Sequence, residues 1–352
     1  MVAVFYISGH GFGHASRQIE VMQALLAERP DTRILVRTAA DMRLFETLRV
    51  NSAGAVAIEA VETDTGIAQI DSLRIDEEET ARAAARFYAR FDDRAAAEAD
   101  RLRSANAAIA VGDIPPLAFA AAAQAGIPSV AVANFTWDWI YGVYDAFDRM
   151  APLAIPTIRR AYALATTALR LPLHGGFEPM AAVVHDIPFI ARQSTRNRGE
   201  TRYLLGITDD RPVVLPSFGA YGAALPVDRL RASRQFTLLT IDDPLPHGLR
   251  YPDLVAAADV VVSKPGYGIV SECVANGTAL LYTSRGRFIE YDLMVAGMPR
   301  VLRCRYLSQE DLRAGHWEAA VDALVAQPTP PERPAIDGAR VAAREILRMA
   351  SC

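Results

Sequence analysis

The sequence predicts an α/β protein with two domains, each built around a parallel sheet. The chain has 352 residues, which is about the length of two ordinary domains. Hydrophobic residues make up 51% of it and charged residues 22%, a globular composition. Short runs of β-branched and aromatic residues alternate with helical patterns along the chain. This alternation is typical of parallel sheets that are covered by helices on both faces.

The first half of the chain carries four predicted strands. The opening strand ends in a glycine-rich stretch and leads into a helical pattern with apolar residues at 19, 22, 25 and 26. A less regular region extends to about residue 76, and a long helical pattern then covers 76–104. The predicted strands are 2–8, 33–38, 107–112 and 129–134.

The second half repeats this scheme, with strands predicted at the start of 212–222 and in 236–241, 259–266, 279–286 and 300–305. A polar, basic segment at 192–211 separates the halves, and we place the domain boundary there. A proline-rich connector at 327–338 precedes a last short helix. The predicted domains are 1–190 and 205–330, with a helix at 338–350 that we expect to cross back to the first domain.

Two open α/β domains in tandem imply a cleft between them. Ligands of open parallel sheets bind at the carboxyl ends of the strands. Because both glycine-rich loops directly follow strands, we expect both loops to face this cleft.

Composition argues against several classes of protein. The net charge is −4, whereas a protein that binds nucleic acid by neutralising phosphates is normally basic. The apolar runs are too short or too interrupted for a signal peptide or a membrane span. The cysteines, Cys273, Cys304 and Cys352, are too few for a disulfide framework or a zinc site. We therefore expect a reduced, cytoplasmic protein without a cofactor, and no Asp-x-Asp sequence calls for a bound metal.

The first chemical motif is SGHGFGHASR at 8–17, directly after the first strand. Its glycines allow a tight turn that leads into a helix N-terminus, a favourable place for an anion. Ser16 stands where a dinucleotide fingerprint needs its third glycine or alanine, which disfavours NAD binding. His14 could act as a general base or could simply pack at the helix start, and the motif alone leaves both interpretations open.

A second motif lies in 259–282, where Gly266 and Gly268 open a helix after a buried strand. Backbone amides there would hold a diphosphate, and Glu272 could accept hydrogen bonds from ribose hydroxyls. The alternative is an ordinary strand–turn–helix with a surface glutamate. A third, weaker motif at 283–292 carries Arg285, Arg287 and Glu290 and could equally be a solvated loop.

A fourth group of residues follows two later strands of the first half. Asp113 ends one strand and Asn134 the next, and Trp137 and Trp139 come soon after. Aromatic rings beside polar groups suit a sugar ligand, although tryptophans at these positions could equally belong to the core.

The segment SKPGYGIVSE resembles the donor-binding motif of the bacterial N-acetylglucosaminyltransferase that completes the peptidoglycan lipid precursor. The resemblance implies a GT-B glycosyltransferase, with two Rossmann-like domains that face each other across a cleft. It also implies that Glu272 contacts the donor's ribose, that Glu290 contacts its sugar, and that 247–254 forms part of the base pocket.

A fuller resemblance covers most of the chain. The stretches GHGFGHASR, VANFTWDWIY, PFIARQSTRNR and YPDLVAAADVVVSKPGYGIVSE are similar to the glycosyltransferase-like region of plant L-arabinokinases. We find no phosphate loop of a sugar kinase, so kinase activity is not implied. The first loop also resembles that of a nucleotide-sugar hydrolase of pseudaminic acid synthesis, in which the equivalent of His14 activates water.

These observations predict an inverting hexosyl- or N-acetylhexosaminyltransferase that uses a nucleoside diphosphate sugar, with UDP expected, and a small soluble acceptor. The alternatives are a nucleotide-sugar hydrolase and a non-catalytic sugar-nucleotide-binding module, and an oxidoreductase is a distant fourth. The predicted catalytic residue is His14. The predicted donor-binding residues are Gly13, Ser217, Gly219, Gly266, Tyr267, Gly268, Ser271, Glu272, Arg287 and Glu290. The predicted acceptor-binding residues are His10, Arg17, Asp113, Asn134, Trp137 and Asp138.

Overall fold

A computed structural model describes residues 1–219, 224–241, 245 and 248–351. The chain divides into two compact units, each of the α/β class. The first unit contains Met1–Gln69, Ile75–Ile190 and the residues from Ala335 on, and the second contains Ile70–Arg74 and Ala191–Pro334. The basic segment 192–211 therefore belongs to the second unit, and a short piece of the N-terminal half, residues 70–74, belongs to it as well.

A seven-stranded parallel sheet forms the centre of the first unit. Its strands are β1 (Val2–Ile7), β2 (Arg33–Thr38), β3 (Val56–Ala60), β4 (Ile109–Asp113), β5 (Ser129–Phe135), β6 (Thr167–Gly175) and β7 (Val184–Asp186). Their spatial order is β3-β2-β1-β4-β5-β6-β7. Residues 3–7 of β1 are all buried, as expected for a strand with helices on both faces.

The helices of the first unit, numbered in chain order, surround this sheet. They are α1 (Gly11–Glu28), α2 (Glu46–Asn51), α3 (Glu77–Tyr88), α4 (Phe91–Ser104), α5 (Pro116–Ala125), α6 (Trp137–Tyr141), α7 (Asp145–Met150), α8 (Ala154–Tyr162) and, near the C-terminus, α16 (Gly338–Met349). Short 3₁₀ helices cover Met42–Phe45 and Glu178–Val183. The predicted long helix at 76–104 is two helices, and their buried positions continue at helical spacing across the break, which hides it in the sequence.

The second unit has a five-stranded parallel sheet. Its strands are β8 (Val213–Pro216), β9 (Thr237–Leu238), β10 (Val260–Ser263), β11 (Ala279–Tyr282) and β12 (Cys304–Tyr306), in the spatial order β12-β11-β10-β8-β9. Its helices are α9 (Arg198–Leu204), α10 (Val227–Arg231), α11 (Tyr251–Ala257), α12 (Tyr267–Asn276), α13 (Glu290–Val301), α14 (Gln309–Ala314) and α15 (Glu318–Val325). The strand predicted at 300–305 is placed too early, because α13 continues past Pro299 as far as Val301.

Each sheet has one point at which the chain reverses its direction of progress across the strands. In the first sheet this switch point lies between β1 and β4, and in the second between β8 and β10. Ligands of open parallel sheets bind at such points, outside the carboxyl ends of the strands. The loops after these four strands are therefore the places where each unit is expected to carry chemistry.

Helix α16 packs within the first unit, where the backbone N–H of Gly338 donates to the carbonyl oxygen of Phe189 at 3.0 Å. Among the residues that the structure describes, no helix is both long and apolar enough to cross a bilayer. Cys273 and Cys304 are free thiols, and Cys352 lies outside the described residues.

Candidate functional site

The loop after β1 leads into α1, whose first turns place three polar side chains at the carboxyl edge of the first sheet. Gly11 opens α1 with a φ of +70°, a left-handed conformation that favours glycine. His14, Arg17 and Gln18 then follow at helical spacing, so they lie on one face of α1, and all three are buried.

These side chains converge on Asp113, the last residue of β4, which is 0% exposed. One carboxylate oxygen, Oδ1, lies 2.8 Å from His14 Nδ1 and accepts from Arg17 Nη2 at 2.5 Å. The other, Oδ2, accepts from Arg17 Nε at 2.5 Å and from Gln18 Nε2 at 2.8 Å. Burial alone would raise the pKa of Asp113, but the charge of Arg17 and the hydrogen bonds from Arg17 and His14 outweigh it and hold the pKa at about 2.

The hydrogen bonds around His14 define which of its nitrogens carries the proton. Nδ1 lies 2.8 Å from Asp113 Oδ1 and 3.0 Å from Arg17 Nη2, and that guanidinium nitrogen already donates to the same carboxylate oxygen. The ionised carboxylate accepts and cannot donate, so the shorter contact places the proton on Nδ1. Nε2 then carries a lone pair, the state that a general base requires.

Asn134 and Trp137 hold this arrangement from the end of β5. Asn134 Oδ1 accepts from Arg17 Nη1 at 2.7 Å. The indole of Trp137 lies against both histidines of the loop, with ring centroids 5.7 Å from His10 and 6.2 Å from His14. The structure thus brings together five of the six predicted acceptor-binding residues around His14.

Asp64 belongs to the same cluster and was not predicted from the sequence. Its carboxylate accepts from Ser8 Oγ at 3.0 Å and from Trp137 Nε1 at 2.8 Å. Burial raises the pKa of Asp64 to about 6, although His14 and both hydrogen bonds act in the opposite direction. It lies in the region without periodicity after β3, where local patterns give no signal for it.

Four of the predicted acceptor-binding residues, Asp113, Asn134, Trp137 and Asp138, are completely buried. The first three bond within the cluster, whereas Asp138 Oδ2 accepts from Arg159 Nε on α8 at 3.0 Å. These side chains therefore support the site from behind and present no surface to a ligand.

The second unit places a group of hydroxyls at its own switch point. Ser263 Oγ, at the end of β10, donates to the carbonyl oxygen of Ser217, which follows β8. Ser217 Oγ in turn lies 2.7 Å from the hydroxyl of Tyr251. Gly219 has a φ of +69°, and residues 220–222 of this glycine loop lie outside the described residues. His247, in the region expected to contact a base, also lies outside them.

Helix α12 begins beside these hydroxyls. Gly266 is its N-cap and supplies no side chain to cap the first turn. Tyr267 is buried in that turn, and Ser271 Oγ donates to the carbonyl oxygen of Gly268 at 2.9 Å. Uncapped amides at a helix N-terminus favour an anion.

Glu272 lies one turn into α12 and is almost fully buried. Its Oε1 accepts from Arg192 Nε at 2.6 Å, and the Arg192 guanidinium lies 4.9 Å above the ring of Tyr251. Burial raises the pKa of Glu272, and Arg192 opposes this shift only in part. Arg192 is not among the residues predicted from the sequence, because the basic segment around it was interpreted as a domain boundary.

Lys264 follows β10 directly, and it is the only lysine among the 37 basic residues of the chain. Its Nζ donates to the carbonyl oxygen of Ser72 at 2.7 Å. Burial lowers the pKa of Lys264 to about 7, and the nearby Arg285 contributes in the same direction. A single lysine in a chain that otherwise uses arginine is a sequence signal for this position, although Lys264 is not among the predicted site residues.

The remaining predicted residues surround the start of α13. Glu290, its first residue, is buried, and its Oε2 lies 3.9 Å from Arg285 Nη1. The guanidinium of Arg285 lies 4.0 Å above the ring of Phe288, and Arg287 is exposed. Within the described part of the chain, no cluster of His, Cys, Asp and Glu has the arrangement of a metal site.

Known proteins resemble both the sequence and this fold. No protein-family model matches the chain. It is 32% identical over 369 aligned residues to the L-arabinokinase of Arabidopsis thaliana, an alignment that covers 99% of this chain and 34% of that protein. The chain thus spans about a third of the length of the curated relative that it matches.

Solved glycosyltransferases superpose over nearly all of the chain. A UDP-glucosyltransferase from Polygonum tinctorium that glucosylates indoxyl matches with a TM-score of 0.62 at 16% identity, over 99% of this chain and 94% of its own. UGT2 of Phytolacca americana matches with a TM-score of 0.58 at 14% identity, over 99% and 94%. MurG of Acinetobacter baumannii matches with a TM-score of 0.52 at 11% identity, over 99% of each chain. The chain has the GT-B fold. The GT-B fold that the resemblance implied is therefore confirmed.

The raised pKa of Asp64 predicts a pH-dependent stability. In the folded protein its pKa is about 6, above the ordinary 3.8, so the fold favours the protonated carboxyl. The contribution of this carboxyl to the free energy of unfolding is complete below its ordinary pKa and is lost as the pH rises through 6. Asp64→Asn keeps an acceptor for Trp137 and cannot ionise. Between pH 5 and pH 8 we expect the wild type to lose roughly 1–3 kcal/mol of unfolding free energy relative to this variant.

Urea unfolding at the two pH values measures this difference. Asp148→Asn, at an exposed position on α7, is the matched control and should follow the wild type. Equal pH dependence in Asp64→Asn and the wild type would contradict the assignment.

Proposed function

We propose that the chain transfers a glycosyl group from a UDP-linked sugar to a small acceptor, with inversion at the anomeric carbon and His14 as the general base. The observation that carries this proposal is the contact between His14 Nδ1 and the buried carboxylate of Asp113, at the switch point of the first sheet. The GT-B fold supports it, because the solved neighbours with this fold include glycosyltransferases.

The first unit supplies the base. His14 Nε2 takes the proton of the acceptor hydroxyl as its oxygen bonds to the anomeric carbon, and the bond from that carbon to the diphosphate breaks with its electron pair on the diphosphate oxygen. Asp113 stabilises the imidazolium that forms, and Arg17 and Gln18 hold Asp113 in place. A single displacement of this kind inverts the configuration.

The second unit binds the donor. The backbone amides at the N-terminus of α12 and the ammonium of Lys264 meet the negative charge of the diphosphate, and they stabilise it further as the leaving group departs. Glu272 accepts hydrogen bonds from the ribose hydroxyls, and Arg192 fixes the orientation of its carboxylate. The other proposed donor contacts remain Gly13, Ser217, Gly219, Gly266, Tyr267, Gly268, Ser271, Arg287 and Glu290.

Donor choice is the first test. We expect UDP-sugars to raise the melting temperature of the chain more than GDP- or TDP-sugars do, because a ligand that binds only the folded state stabilises it.

Glu272→Gln should weaken UDP-glucose binding by roughly 10-fold, since a neutral acceptor replaces a carboxylate. Donor binding without turnover on any acceptor would indicate a binding module. Rapid release of UDP from donor alone would indicate a hydrolase.

Removal of the base is the second test. We expect His14→Ala to lower kcat by about 10²–10⁴ while UDP-glucose affinity changes little. His185→Ala, at an exposed position on β7, is the matched control and should retain full activity. Unchanged turnover in His14→Ala would refute the role of the base.

The sole lysine gives a third test, because its ammonium must be charged to meet a diphosphate. With a pKa of about 7, free Lys264 is protonated below that pH and increasingly neutral above it. We therefore expect UDP-glucose affinity to fall by up to about 10-fold per pH unit above 7, as binding must take up a proton. Lys264→Arg should bind independently of pH, and Lys264→Met should bind weakly throughout.

Protein labelled with ¹⁵N-lysine gives a single side-chain signal, whose pH titration measures the pKa directly. The midpoint should lie near 7 without ligand and rise when UDP-glucose is bound. A midpoint near 10 in the free protein, or an affinity with the same pH profile in Lys264→Arg, would contradict this role.

A further inference from the structure

A turn at residues 70–74 comes from the first half of the chain but belongs to the second unit. Oδ1 of Asp71 accepts hydrogen bonds from the backbone N–H groups of Leu73 at 2.8 Å and Arg74 at 2.9 Å. The backbone N–H of Ile70 donates to the carbonyl oxygen of Arg74 at 3.0 Å and closes the turn. An aspartate that bonds the backbone in this way stabilises a turn locally. The shape of the turn is therefore set by its own sequence.

Leu73 anchors this turn in the second unit. Its side chain is 7% exposed and belongs to the hydrophobic core that also contains Val214 of β8, Val262 of β10 and Leu281 of β11. Its carbonyl oxygen accepts from the backbone N–H of Gly286, in the loop after β11, at 2.6 Å. Because burial of a leucine side chain is strongly stabilising, the core holds the turn in place together with this hydrogen bond.

Ser72 connects the turn to two further loops of the second unit. Its hydroxyl donates to the carbonyl oxygen of Phe218, in the loop after β8, at 3.1 Å. Its own carbonyl oxygen accepts from Nζ of Lys264, which directly follows β10, at 2.7 Å. With the bond to Gly286, the turn thus bonds the loops after β8, β10 and β11. These loops surround the switch point of the second sheet, where ligands of such sheets bind.

The charged groups that act on the ammonium of Lys264 come from three elements. Asp71 lies in the turn, Arg285 in the loop after β11, and Glu290 at the start of α13. Burial is the largest cause of the lowered pKa of Lys264, and Arg285 adds to it, whereas Asp71 and Glu290 act in the opposite direction. The turn therefore gives the ammonium both a hydrogen-bond acceptor and a negative charge.

We propose that the turn at 70–74 is a positioning element of the donor site, in which the carbonyl oxygen of Ser72 and the charge of Asp71 hold the ammonium of Lys264 for the donor's diphosphate. This inference rests on the role that the proposed function gives to Lys264. A lysine side chain is long and flexible, so fixing it before a ligand arrives lowers the entropic cost of binding. The ammonium has three N–H groups, and the bond to Ser72 leaves two of them for phosphate oxygens.

The charge of Asp71 is tested first, without any ligand. Asp71→Asn keeps the Oδ1 that accepts from both backbone amides and removes the negative charge, so the turn should persist. In protein labelled with ¹⁵N-lysine, the titration midpoint of Lys264 should fall below the wild-type value near 7, because a charge that favours the ammonium is lost. Asp228→Asn, at an exposed position on α10, is the matched control and should titrate like the wild type. An unchanged or higher midpoint in Asp71→Asn would overturn the proposal, whatever the activity of the chain.

The docking of the turn is tested by Leu73→Ala, with binding measured by calorimetry on the full chain. At pH 6, below the pKa of Lys264, we expect UDP to bind roughly 10-fold more weakly than to the wild type, because the lysine must then be ordered on binding. Uridine has no diphosphate, so it should bind as it does to the wild type and verify that the variant folds. Leu324→Ala removes the same side chain from the same core, on α15, and should bind both ligands like the wild type. Wild-type UDP affinity in Leu73→Ala, or an equal loss in both leucine variants, would overturn the proposal.

The pH profile of UDP binding separates the role of the turn from the proposed function. In the wild type, UDP affinity should fall as the pH rises past 7, because binding must take up a proton. In Asp71→Asn this fall should begin at a lower pH. The same profile in both proteins would overturn the role of the turn alone. Wild-type protein that does not bind UDP would contradict the proposed function as well.

Discussion

The buried carboxylate of Asp113 is the constraint on which the first unit's site depends. A charge at the end of a central strand, with no exposed surface, must be compensated by the protein itself. One face of α1 provides this compensation, with an arginine, an amide and an imidazole at helical spacing. The orientation and tautomer of His14 are consequences of this compensation. Breaking such a buried pair typically costs about 3–5 kcal/mol, so the orientation of His14, the proposed base, is linked to the fold of this region.

The charged groups of the second unit are compensated differently. The pKa of Asp113 is lowered because its partners more than offset its burial. The pKa of Glu272 is raised and that of Lys264 is lowered, so in both cases burial outweighs the partners that the protein supplies. A buried charge that the protein's own groups do not fully stabilise is stabilised further by a ligand that supplies the missing groups. These groups are hydroxyl donors for the carboxylate and an anion for the ammonium.

Local sequence patterns were sufficient for the strands that begin each sheet and for the two glycine loops, but β3, β6 and β7 were not predicted. Residues 3–7 and 260–262 are continuous apolar runs because their strands are buried on both faces, and Gly11 and Gly266 mark where each chain segment turns into a helix. The pairing of His14 with Asp113 spans 99 positions, that of Arg192 with Glu272 spans 80, and the contact of Lys264 with Ser72 spans 192. Local periodicity contains no information about contacts over such distances. Individual site residues could therefore be predicted from the sequence, but the residues that pair with them could not.

The irregular stretch between β3 and α3 makes hydrogen bonds within the candidate sites of both units. Within the first unit, Asp64 accepts hydrogen bonds from Ser8 and Trp137, and the backbone N–H of Ile67 donates to Nδ1 of His10 at 3.3 Å. A few residues later the chain enters the second unit, where the Ser72 hydroxyl donates to the carbonyl oxygen of Phe218 at 3.1 Å and its own carbonyl oxygen accepts from Lys264. The backbone contacts of Ile67 and Ser72 need irregular structure, because in a helix or a strand this amide and this carbonyl would be used by the element itself. The absence of periodicity between β3 and α3 therefore reflects the function of this segment, which is to supply backbone hydrogen bonds to the candidate site of each unit.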